Sequence, residues 1–87
     1  MKIILESKTT IEKDVEIGSY WRSGIHFYKV LNDKYTLHVC NSTVFYLSSI
    51  EFGYIETVFS IGNPIEITKD EFEVAFEKTL NLLSSGL

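Results

Sequence analysis

The chain has 87 residues, which is one domain's worth of sequence with room for a modest core. Apolar residues make up 45% and charged residues 23%, an ordinary globular balance that excludes disorder. Twelve acids against eight bases leave a net charge of −4, and Arg22 is the only arginine. No basic face can form for a phosphate backbone, so nucleic-acid reading is excluded. The single Cys40 allows no internal disulfide. The three apolar residues Ile3-Ile4-Leu5 are too short for a signal-peptide core, and no run is long enough to span a membrane. A cytoplasmic location is expected, and the sequon Asn41-Ser42-Thr43 is then inert.

Ile3 to Leu5 reads as a first short strand. Thr9 to Ile17 alternates, with Ile11, Val15 and Ile17 on one side and Glu12, Asp14 and Glu16 on the other. That pattern predicts a half-buried strand with an acidic outer row. Gly18 to Gly24 breaks the alternation and, bracketed by glycines, reads as a loop or a strand-edge bulge.

Ile25–Leu31 and Tyr35–Cys40 read as a hairpin with Asn32 and Asp33 in the turn. A two-residue turn would leave both faces mixed. A three-residue turn sets Leu31 opposite Tyr35 and separates the faces better. Ile25, Phe27, Leu31, Tyr35, Leu37 and Val39 then share one face with Lys29. His26, Tyr28, Val30, Thr36, His38 and Cys40 share the other, so the second register is preferred.

Thr43 to Ser48 is a nearly continuous apolar run and reads as a buried strand, and Ser49 to Gly53 as a turn. Tyr54 to Ile61 alternates again, with Ile55, Thr57, Phe59 and Ile61 on one side. Gly62-Asn63-Pro64 is a turn, and Ile65 to Ile67 a short strand.

Thr68 to about Ser85 is the clearest element. Thr68 caps a helix whose Glu71 can reach back to it, and Asp70, Glu71 and Glu73 suit the positive end of the dipole. Phe72, Ala75, Phe76, Leu80 and Leu83 form the apolar stripe, with Leu82 at its margin. Gly86 suits a left-handed C-cap, with Leu87 folding back on Leu82. The fold class is α+β: an antiparallel sheet of about five strands, curved or partly closed, packed by one C-terminal helix.

One helix covers one sheet face, yet Tyr28, Val30, Val44, Tyr46 and Val58 are apolar residues to spare. An uncovered apolar face predicts a homo-oligomer or another protein partner.

Among candidate sites, Tyr20, Trp21 and Arg22 combine stacking rings with a guanidinium that can fork onto a phosphate or carboxylate. They are the predicted binding residues, for a partner's acidic group or a small phosphorylated ligand such as a nucleotide. The plain alternative is that Trp21 plugs the core. His26, His38 and Cys40 share a strand face but lack a fourth ligand, so no metal is predicted. No cofactor motif, nucleophile–base pair or facing carboxylate pair occurs, so no enzymatic activity is expected.

Ile67-Thr68-Lys69-Asp70-Glu71-Phe72-Glu73 with Ala75-Phe76 and Leu80, preceded by Phe27-Tyr28-Lys29-Val30, resembles small orphan proteins of phages and mobile elements. The resemblance implies an inhibitor of host defence that binds a partner protein or sequesters a signalling nucleotide. It carries no site residues with it.

Overall fold

In a computed structural model of the chain, the described residues are 2–6, 10–41, 48–61 and 63–85, with the backbone alone described for 2–6, 10–13, 61 and 85. The fold is α+β. Five antiparallel strands form an open sheet, and a C-terminal helix packs on one face. In chain order the elements are β1 (Lys2–Glu6), β2 (Thr10–Asp14), β3 (Tyr20–Ser23), β4 (His26–Val30), β5 (Tyr35–Cys40), β6 (Ser49–Tyr54), α1 (Ile55–Ile61), β7 (Ile65–Ile67) and α2 (Lys69–Ser85). β1 and β2 pair as a separate hairpin, and the sheet runs β6-β5-β4-β3-β7.

The hairpin register is the predicted one. His26 pairs with Cys40 and Val30 with Thr36. Leu31 N donates to Tyr35 O at 3.0 Å. Asn32 Oδ1 accepts from Lys34 N at 2.9 Å and Tyr35 N at 2.8 Å, so one side chain closes the turn.

Four expected elements differ. The expected Thr9–Ile17 strand stops at Asp14, and Glu16 instead accepts a turn bond from Ser19 N at 3.1 Å. Ile17 is left exposed. The expected Gly18–Gly24 loop contains strand β3. Its glycines mark the strand's two ends, at φ +88° and +62°. Gly24 and Ile25 form the tight turn to β4, and Gly24 has the positive φ that a type II′ turn needs at its first central position. The expected turn at Ser49–Gly53 is strand β6, and the expected strand at Tyr54–Ile61 is helix α1. The strand expected at Thr43–Ser48 lies outside the described residues up to residue 47, as do Gly62 and the Gly86–Leu87 cap.

Helix α2 begins as predicted. Thr68 Oγ1 accepts from Glu71 N at 3.2 Å, and Thr68 O accepts from Phe72 N. Its buried line runs through Phe72, Ala75 and Thr79, with Phe76, Leu82 and Leu83 half-buried. Leu80, expected in the stripe, is 46% exposed. Thr79 takes the inner position instead. Its hydroxyl donates to Ala75 O at 2.9 Å, which satisfies the polar group within the helix.

The other sheet face is covered by the chain itself. Val15, Trp21, Val30, Ile55, Val58 and Phe59 form one buried cluster with Tyr28 against it. Trp21 meets Phe59 edge-on at 5.1 Å between centroids. Ile55, Val58 and Phe59 recur at helical spacing, so α1 lays one apolar side onto this face. Val30 and Val58, two of the residues that argued for an uncovered face, are therefore buried within the chain. The sheet is a middle layer between α2 and the shorter α1. Among the described residues no helix is long and apolar enough to cross a membrane.

Candidate functional site

The structure divides Tyr20, Trp21 and Arg22 between the two sheet faces, with Tyr20 and Arg22 on one and Trp21 on the other. They are consecutive on β3, so their side chains alternate between faces. Trp21 belongs to the α1-side core, and its Nε1 donates to Ser19 Oγ at 2.8 Å. Tyr20 faces α2, 5.2 Å from the Phe72 ring, with Lys29 Nζ over its own ring. Arg22 is exposed on the α2 side. Its Nε donates to Gly24 O at 2.9 Å, and the guanidinium lies 5.3 Å from the Phe27 ring centroid. It fronts a cleft of about 400 Å³ that Asp70 and Glu71 also line. A phosphate there would meet two carboxylates as well as the Lys78 ammonium.

The opposite face gathers groups from three neighbouring strands. His38 on β5 stands across from Glu51 on β6, with Nδ1 3.4 Å from Oε1. Diagonally, His26 Nδ1 lies 2.9 Å from His38 Nε2. With His38 neutral, one hydrogen-bond pattern serves all three. Ionised Glu51 only accepts, so neutral His38 donates through Nδ1–H, and its Nε2 lone pair accepts from His26 Nδ1–H. The Tyr28 ring stacks on His38 at 4.7 Å.

Burial and the neighbouring His26 hold the His38 pKa below its ordinary 6.5, against the opposite pull of Glu51. Burial, then the nearby Cys40, pushes the Tyr28 hydroxyl up. Burial, then Glu51, pushes the Cys40 thiol up as well, away from the reactive thiolate. Among the described residues no group of three or more His, Cys, Asp and Glu side chains could hold a metal ion.

His26, Tyr28, His38 and Glu51 line a cleft of about 380 Å³ whose other walls include Ser23, Tyr54, Thr57 and Val58. Glu51 is the member that sequence reasoning missed, because Ser49–Gly53 read as a turn. The signal was present: Ile50, Phe52 and Tyr54 alternate with Glu51 and Gly53.

The cleft opens beside β6, an edge strand among the described residues. Ile55 N donates to Lys34 O at 2.9 Å, so alternation makes Thr36–Gly53, His38–Glu51 and Cys40–Ser49 the hydrogen-bonded pairs. The N–H and C=O groups of Ile50 and Phe52 then point away from β5. Among the described residues β6 pairs with β5 alone. Its side chains include Phe52 at 73% exposure and Tyr54 at 56%. Edge strands are normally blunted by charged side chains, above all Lys, and by Pro, bulges or shortness, and β6 carries one charge, Glu51. β6 has six residues in unbroken register with no Lys and no Pro. The other edge, β7, has three residues and follows Pro64.

Comparison of the chain with protein-family models, with curated proteins and with solved structures finds no match in any of the three.

Proposed function

We propose that this chain is a non-enzymatic binding protein that receives an extended segment of another protein along β6. The observation that carries the reading is the six-residue edge with outward backbone groups at Ile50 and Phe52 and the Phe52 ring exposed beside them. Strand addition takes affinity from main-chain bonds and specificity from alternate side chains. The Arg22 cleft supports a phosphorylated ligand less well, because Asp70 and Glu71 offset the charges of Arg22 and Lys78 there. The resemblance to phage and mobile-element proteins supplies a setting for such binding, the inhibition of a host defence protein.

The test is a titration of isotope-labelled protein with a five-residue capped peptide of alternating isoleucine and threonine. The amides of Ile50 and Phe52 should shift more than any others. Phe52→Pro removes one outward N–H at an edge position where proline is tolerated, and should abolish the shifts. Phe52→Lys, which leaves the backbone intact, should weaken binding. Undiminished binding by both variants would sink the reading.

A further inference from the structure

We propose that the cleft beside β6 receives a lysine or arginine side chain carried by the segment paired on that edge. This rests on the β6-edge reading and adds the chemistry of the partner. A strand paired with β6 alternates like β6 itself. Its residues facing Ile50, Phe52 and Tyr54 fall on the α2 side, and those facing Glu51 and Gly53 fall on the α1 side, over the cleft. The two sides differ in chemistry. The α2 side offers the exposed Phe52 and Tyr54 to apolar residues.

The cleft side offers one carboxylate, Glu51, beside two histidines. Glu51 is 62% exposed, and its Oε1 faces His38, which leaves Oε2 for a second donor. Tyr28 lines the same space, and aromatic faces attract cations. Ser23 and Thr57 add hydroxyl acceptors, while no Lys or Arg lines the cleft. The volume of about 380 Å³ accommodates an alkyl stem. A net charge of −4 favours approach of a basic partner. The segment recognised is therefore apolar–basic–apolar at alternate positions.

His38 makes the site proton-linked. Facing it are His26 and Tyr28 from β4, Cys40 on its own strand and Glu51 from β6, while α1 contributes only uncharged Thr57 and Val58. A protonated His38 takes Glu51 for itself and repels the incoming cation.

The experiment compares capped five-residue peptides with isoleucine at alternate positions and one central lysine or glutamate. Binding is read from the Ile50 and Phe52 amides and the His38 ring. The lysine peptide should bind the native chain tighter, by up to about fivefold, the upper end of what an exposed ion pair contributes. Glu51→Lys should reverse the order. The advantage of lysine should shrink as pH falls from about 8 to about 5.5, and His38→Gln should remove that trend. Equal binding of both peptides overturns the inference and leaves the edge reading standing. Binding of neither peptide, or binding that Phe52→Pro does not alter, overturns both. A chain that instead pairs with a second copy through β6, and excludes either peptide, also overturns the inference.

Discussion

The segment 55–61 offers a test of the fold in which two adjacent residues have opposite roles. As a helix it buries Val58, 7% exposed, and turns Thr57 to solvent. As the alternating strand expected from sequence it would bury Thr57 and expose Val58. Val58→Ala removes two methyl groups from the cluster with Trp21 and Phe59. The transfer term is about 1.6 kcal/mol, and incomplete collapse of the vacated space adds about 1 kcal/mol. Alanine's better helix propensity returns about 0.6 kcal/mol, which leaves a net loss of about 2 kcal/mol. For a chain of this size that lowers the melting temperature by roughly 10 °C. Thr57→Ala should change stability by no more than about 0.5 kcal/mol, as exposed sites do. Urea and thermal unfolding, followed by Trp21 fluorescence and circular dichroism, measure both. A larger loss from Thr57→Ala than from Val58→Ala would refute the helical packing of α1 on the second sheet face.

Stability should fall as pH drops below the ordinary histidine value of 6.5. The folded-state pKa of His38 is lowered, so the unfolded chain takes up the proton first and gains relative to the native state. Above that value His38 contributes no pH dependence. Unfolding curves between about pH 7.5 and 5.5 should show the loss, and a His38→Gln variant with an unchanged slope would count against it. Gly24→Ala should destabilise by about 1–2 kcal/mol through backbone conformation alone, since φ is +62° and nothing lies within 4 Å of an added Cβ. A neutral Gly24→Ala in chemical denaturation would contradict the turn geometry. Thr68→Ala should cost about 1 kcal/mol by removing the acceptor for Glu71 N, while Thr68→Ser should retain most of it. Equal losses in the two variants would show that the hydroxyl is not the cause.

The site was less legible than the fold. Tyr20, Trp21 and Arg22 suit binding as residue types, but a strand sends neighbours to opposite faces: Trp21 joins the core, and Tyr20 and Arg22 line separate clefts on the α2 side. His26, His38 and Cys40 were placed correctly on one face by the hairpin register. The partner that completes them, Glu51, was hidden because Ser49–Gly53 looked like a turn. That segment becomes a strand by pairing with β5, a contact no local pattern encodes.

The sequence by itself determined the C-terminal helix, its Thr68 cap, the β4–β5 register and the α+β class. Each rests on local chemistry: a hydroxyl three residues before a waiting N–H, an Asn closing its own turn, apolar residues at a single period. Tertiary structure alone decided the state of Tyr54–Ile61. Ile55, Thr57, Phe59 and Ile61 fit a period of two, and Ile55, Val58 and Phe59 fit the helical one equally well. The second pattern wins because the opposite sheet face, with Trp21 and Val30, needs a cover that α2 cannot reach. That choice turns an apparently uncovered face into core, and it leaves the edge of β6 as the surface where binding is to be sought.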